Sequence, residues 1–282
     1  MAIEITPVTP TIGAEVRGVD LSQPLERGDL AVVEQALYDH LVLFFRDQHD
    51  LDPASQCAFA AHFGPFERHP FARPHPDFGE VVVLDQTTPE RDGANNWHSD
   101  SSFMERPAFG SVLRAVQLPP QGGDTIWASM HAAYEALSPL LRELLEQCSA
   151  MHDIVVPLER AVREGHSIAG VDEVRAQWPA VRHPVVRTHP VTGRKILYVN
   201  SNFATRICEL GEAESRAMLD FLFAHLQRPE FQVRLHWEPG TVAFWDNRCT
   251  QHYAVPDYTG HRRVMHRVTL EGERPVGTVA IG

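Results

Sequence analysis

The residues of this 282-residue chain best suited to chemistry lie in Trp97-His-Ser-Asp100 and, far downstream, in Trp245-Asp-Asn-Arg-Cys-Thr-Gln-His252. On a β-strand residues i and i+2 face the same way, so His98 and Asp100 could aim an imidazole nitrogen and a carboxylate oxygen at one point. His252 would complete two imidazoles and one carboxylate on one side of a metal ion, with the other side open. That donor set suits non-haem Fe(II), whereas zinc prefers a tetrahedral site with one open position for water activation. Taken singly the signals are weak. An HxD triplet arises by chance in a chain with 16 histidines, and His252 alone reads equally as a core or surface histidine.

A further motif is His261-Arg-Arg-Val-Met-His-Arg-Val-Thr-Leu270. Read as a strand, it puts Arg263, Met265 and Arg267 on one face and Val264, His266 and Val268 on the other. Two arginines on one face are costly to bury unless anions meet them, and a guanidinium grips carboxylates and sulfonates through a planar fork. The alternative is a solvated edge strand whose charge serves solubility. Cys249 sits three residues before His252 and reads as a small buried filler, His266 as a residue of the opposite face, and Asp246-Asn247 as a turn holding the ligand segment.

Positioning these groups requires a strand-rich scaffold. Alternating segments at 3–10, 12–19 and 111–118, the apolar run 41–45 and segments at 81–84, 183–188, 196–200, 231–236, 241–245 and 262–270 predict strands. Helical spacing appears at 30–40, at 53–63 behind Asp52-Pro53, at 130–148 with Ser138-Pro139 opening its second half, and at 213–227. Residues 155–180 are charged, without a strong period, and read as a flexible insertion. No linker divides the chain, so one domain over 1–282 is expected: an antiparallel β-sandwich or barrel with helices packed on it.

Composition narrows the partners. The chain is 43% hydrophobic and 22% charged with a net charge of −12, which argues against nucleic acid and anionic membranes. Four scattered cysteines form no CxxC pair, and the N-terminus lacks a signal-peptide pattern, so a cytoplasmic location is expected.

Together the motifs resemble the taurine dioxygenase family of Fe(II)- and 2-oxoglutarate-dependent oxygenases, which includes 2,4-dichlorophenoxyacetate dioxygenase and the alkylsulfatase oxygenases. The resemblance runs through Ile12-Gly-Ala-Glu-Val-Arg-Gly-Val-Asp20, Leu43-Phe-Phe-Arg-Asp-Gln48, Phe63-Gly-Pro65, Trp97-His-Ser-Asp-Ser-Ser-Phe103 and Gly122-Gly-Asp-Thr-Ile-Trp127. It continues in His183-Pro-Val-Val-Arg-Thr-His-Pro190, Trp245 to Tyr253 and Arg262 to Arg267. It implies a double-stranded β-helix (jelly-roll) core with flanking helices, and a homo-oligomer, dimer or tetramer. By position, His98, Asp100 and His252 would bind iron, and Thr125 and Arg263 the distal carboxylate of 2-oxoglutarate. Arg267 and His69 would bind the anionic head of the substrate, with Phe203 a wall of its pocket. The implied reaction consumes O₂ and 2-oxoglutarate, yields succinate and CO₂, and hydroxylates the carbon next to a sulfonate, which then leaves as sulfite with an aldehyde.

The substrate side departs from the taurine-using members. They place a tyrosine shortly after the His-Pro pair, where this chain reads Phe71-Ala-Arg-Pro74, and acidic and amide residues where it has Gly93-Ala94. An alkyl sulfate ester or aryloxyalkanoate would present a similar anion. Outside this class, a zinc hydrolase would leave Arg263 without a purpose, and a non-catalytic anion-binding jelly roll would be expected to lack one of the three ligands.

Overall fold

The computed structural model of the chain describes residues 2–68, 73–89, 94–163 and 171–278. Its largest sheet orders seven strands: β1 (Glu4–Pro7), β2 (Ala14–Arg17), β3 (Val42–Phe45), β13 (Val242–Asp246), β5 (Gly110–Gln117), β15 (Arg263–Leu270) and β4 (Val81–Gln86). Packed against it is a three-stranded sheet of β12 (Gln232–Leu235), β6 (Thr125–Ser129) and β14 (Thr250–Ala254). The same core takes in β11 (Ala204–Ile207), β7 (Ser149–His152) and β8 (Val181–Pro184), and the pair β9 (Val186–Thr188) with β10 (Lys195–Leu197). Every named pairing is antiparallel except β2 with β3. This is the mainly-β jelly roll with flanking helices that the sequence led us to expect.

Strand alternation divides the interior. On β13, Ala243 and Trp245 face the small sheet, where Trp245 lies 5.6 Å from Trp127 of β6. Val242 and Phe244 face the other way, against helices α1 (Arg27–His40) and α2 (Pro53–Ala61). Phe244 meets Phe59 and Phe63 there at ring separations of 5.9 and 4.8 Å. Truncating a buried phenylalanine such as this one to alanine costs about 3–5 kcal/mol. β15 obeys the same rule: Met265 joins the inner core while Val268 and Leu270 join the helix-covered layer. Arg263 and Arg267 therefore point inward with Met265.

Local signals account for the helices. Asp52 accepts the Ser55 amide at 2.7 Å and Pro53 opens α2. The region 130–148 divides into α3 (Met130–Glu135), capped by Ser129, and α4 (Pro139–Leu145), capped by Ser138. β7 follows at Ser149, where the helical spacing ends. α7 (Glu212–His225) follows expectation.

Within 155–180, where no strong period was read, the described residues form two helices, α5 (Val155–Arg163) and α6 (Val171–Gln177). Pro157 falls in the first turn of α5, where proline is tolerated, and among the described side chains the buried contacts come from a few positions such as Leu158 and Val174. So short an apolar stripe is easily hidden among charges. No helix among the described residues is long and apolar enough to cross a membrane.

Candidate metal centre and anion pocket

His252 is the central residue of β14, paired with Trp127 of β6. His98 lies opposite it across a single antiparallel bridge, each amide donating to the other's carbonyl at 3.1 and 2.8 Å. The two imidazoles stand 4.2 Å apart, and the Nε2 atoms of His98 and His252 lie 3.7 and 3.9 Å from Asp100 Oδ1. All three residues are buried, and one ligand atom from each falls within 4.8 Å of the others.

The convergence does not come from a strand, as the i, i+2 argument supposed. Only His98 makes a bridge, and Asp100 lies in a turn that leads into Ser101 at φ 57°. Asn247 sets that turn. Its Oδ1 accepts the Asp100 amide at 2.8 Å, while its Nδ2 donates to the carbonyls of Asp100 and Ala108, each at 3.0 Å. An amide side chain thus does the work of a neighbouring strand.

The donor set fits a divalent cation. His98 Nδ1 lies 2.7 Å from the Asn96 carbonyl, so the proton belongs on Nδ1 and the Nε2 lone pair is left for a metal. Burial first, then the neighbouring His98, lowers the His252 pKa to about 3, which keeps that imidazole neutral. Arg267 Nη1 donates to both oxygens of Asp100 at 3.2 and 3.3 Å, so a guanidinium fills the cationic neighbourhood of the carboxylate.

A second group of donors, His189, Asp246 and Cys249, is equally compact but has other occupations. His189 Nδ1 accepts the amides of Val191 and Thr192, leaving Nε2–H to donate to Asp246 at 3.0 Å. Arg248 takes both oxygens of Asp246. Burial opposes the charge on Asp246, yet Arg248 and His189 hold its pKa well below the carboxylate range. These are the bonds of a buried structural network, and Cys249 is the apolar filler the sequence suggested.

The other expected site residues fall into two regions. Thr125, at the start of β6, accepts the Trp237 indole N–H at 3.0 Å, and the Arg263 guanidinium carbon lies 5.8 Å from the centroid of the same indole and from that of Tyr258. Gly123, at φ 73°, makes this approach possible, since a Cβ there would lie 3.1 Å from Arg263 Nε. Phe203 packs at 5.2 Å on Phe103, three residues beyond Asp100, in an apolar cluster with Ile154, Leu158 and Val174 from the α5–α6 region. His69 lies outside the described residues.

Several participants escaped the sequence reading. Trp237 and Tyr258 had no spacing signal, and Asn247 was seen only as a turn residue. Glu67 was missed altogether: it is 8% exposed and its Oε1 accepts the Ser101 hydroxyl at 2.6 Å. His266 does lie on the face opposite the arginines, its ring 5.4 Å from His75.

With this geometry in view, residues 4–269 match the family described as taurine catabolism dioxygenase TauD, TfdA family. An alpha-ketoglutarate-dependent sulfate ester dioxygenase of Pseudomonas putida is 39% identical, over 98% of this chain and 92% of that protein. Among solved structures, a taurine dioxygenase from Burkholderia xenovorans is 36% identical with a TM-score of 0.85, covering 100% of this chain and 95% of that one. AAD-2, solved in complex with Mn(II) and N-oxalylglycine, is 33% identical with a TM-score of 0.85, covering 98% of this chain and 100% of that one. The chain belongs to the TauD/TfdA family and is an Fe(II)- and 2-oxoglutarate-dependent dioxygenase.

Proposed function

We propose that this dioxygenase acts on a small alkyl sulfur oxyanion, a sulfonate or sulfate ester with an apolar tail, and hydroxylates the carbon that bears the head group. The observation that carries this reading is the guanidinium of Arg267 lying directly on the carboxylate of the candidate metal centre, where it can hold an anionic head beside the metal. His98, Asp100 and His252 would hold Fe(II), which when bound supplies the O₂ chemistry that converts 2-oxoglutarate to succinate and CO₂ and delivers one oxygen atom to the substrate carbon.

The chain's own residues then orient the reactants. Arg263 and Thr125 would receive the distal carboxylate of 2-oxoglutarate. Because Thr125 accepts from Trp237, its hydroxyl proton is directed to another acceptor, such as that carboxylate. Phe203 and Phe103, backed by Leu158 and Val174, would wall the tail and exclude water. His69 would assist Arg267. The hydroxylated carbon collapses to an aldehyde, releasing sulfite from a sulfonate or sulfate from a sulfate ester.

The apolar wall favours a tail without an ammonium, so taurine itself is expected to be a poor substrate. Anaerobic addition of Fe(II) and 2-oxoglutarate should produce a weak visible charge-transfer band. Admitting O₂ with taurine, longer alkylsulfonates, alkyl sulfates or phenoxyacetates should then give succinate, with sulfite or sulfate identifying the head group. Turnover confined to phenoxyacetates would refute the sulfur oxyanion, and absence of the band would refute the metal site.

A further inference from the structure

Glu67 is a buried acid in a position where an acid is expensive. Its amide donates to the Thr269 carbonyl at 2.8 Å, which fixes it beside the end of β15, close to Arg267 on that strand. Its Oε1 takes the Ser101 hydroxyl, and its Oε2 is buried without a hydrogen-bond partner among the described residues. Arg267 Nε is likewise buried without one. A single guanidinium thus has one carboxylate, Asp100, bonded to Nη1 and a second, Glu67, within electrostatic range. Among the described residues, Glu271 and Tyr198 are further ionisable groups that sense Glu67.

We propose that Glu67 determines anion specificity: its carboxylate, anchored by Ser101, offsets the charge of Arg267 and so sets how tightly the site takes an anionic head group. This rests on the assignment of that head group to Arg267. A carboxylate this close to an anion pocket repels the incoming anion, and low local dielectric magnifies the effect. It therefore penalises a doubly charged free anion such as inorganic sulfate about twice as much as a singly charged head group, whose tail also contributes to binding. Glu67 is a positioning residue here, acting through Arg267. Burial, partly countered by Ser101 and then reinforced by Asp100, raises its pKa to about 7, so that it is charged at pH 8.

The test measures binding without turnover. The protein loaded with Mn(II) and 2-oxoglutarate would be titrated at pH 8 under nitrogen with hexyl sulfate and with inorganic sulfate, using calorimetry. Glu67→Gln retains the shape and an acceptor for Ser101. It should lower the dissociation constant for hexyl sulfate on the order of ten-fold and that for the doubly charged inorganic sulfate by more. The affinity for 2-oxoglutarate, titrated separately, should stay within about two-fold, because Arg263 lies four residues along the strand, about 13 Å away. Glu67→Leu, of similar volume, should shift the same way.

Unchanged or weaker anion binding in both variants, alongside loss of binding in Arg267→Ala, would overturn the role of Glu67 alone. Equal shifts for the sulfates and for 2-oxoglutarate would also overturn it, by marking a general structural change. Sulfate binding that survives Arg267→Ala, or no binding of either sulfate to the wild type, would overturn the Arg267 assignment and Glu67 with it.

Discussion

Arg267, on β15, places Nη1 on both carboxylate oxygens of Asp100, at 3.2 and 3.3 Å, with Asp100 buried and Arg267 largely so. One carboxylate thereby serves a guanidinium and a candidate metal ion. Breaking such a pair leaves an uncompensated buried charge, and that cost depends on whether a cation replaces the arginine.

Arg267→Ala should therefore destabilise the metal-free protein by about 3 kcal/mol. Saturating Mn(II) should recover most of that loss, since binding to the folded state alone adds stability. Denaturant titrations with chelator and with Mn(II) check this. The same variant should raise the KM for the primary substrate far more than that for 2-oxoglutarate.

Asn247→Ala removes three hydrogen bonds that hold the Asp100 turn. A loss of roughly 2–4 kcal/mol is expected, because the amide and carbonyls left behind are buried. Mn(II) affinity, measured by equilibrium dialysis, should fall on the order of ten-fold or more through misplacement of the Asp100 turn. Unchanged metal affinity would show that Asn247 only stabilises the fold.

Trp237→Phe keeps the ring beside Arg263 but removes the donor to Thr125. The freed hydroxyl can then turn away from a ligand carboxylate. We expect a KM for 2-oxoglutarate several-fold higher, with little change for the primary substrate, whereas Arg263→Ala should raise it much further. Steady-state titration of each reactant separates the two effects.

Acid should unfold the protein through buried neutral histidines. Burial lowers the pKa values of His131 and His183 to about 4 from an ordinary 6.5. The unfolded chain then binds more protons than the folded one between those values. Stability is present above pH 6.5 and is lost as pH falls towards 4, by up to about 3 kcal/mol per histidine. Equilibrium unfolding of His183→Gln across this window should show a shallower pH slope than wild type.

Glu67 has the opposite sign. Its folded pKa of about 7 exceeds the ordinary 4.5, so the folded protein holds the extra proton between them. Stability of the metal-free protein should decline as pH rises from 4.5 to 7, by a contribution of up to about 3 kcal/mol. Glu67→Gln should remove that decline, visible as a gain over wild type at pH 8 that shrinks towards pH 5.

The sequence alone determined the parts of this protein governed by local periodicity and by residue type. Alternation on residues 263–268 separated Arg263, Met265 and Arg267 from Val264, His266 and Val268, as β15 bears out. Asp52-Pro53 and Ser138-Pro139 announced their helices because a cap and a first-turn proline act within four residues. The motif set likewise led to the family.

Tertiary structure decided what depends on groups distant in the chain. The approach of Asp100 to the two histidines rests on Asn247, which lies 147 residues away, and on a left-handed Ser101, neither of which any period encodes. β14 escaped as a strand because Thr250-Gln-His-Tyr-Ala254 is polar, and the pairing with β6 supplies what its alternation lacks. Glu67 could be identified only once β15 and the Ser101 turn had closed around it. In the sequence it is one acid among many, and burial, which alone makes it unusual, is a property of the folded chain.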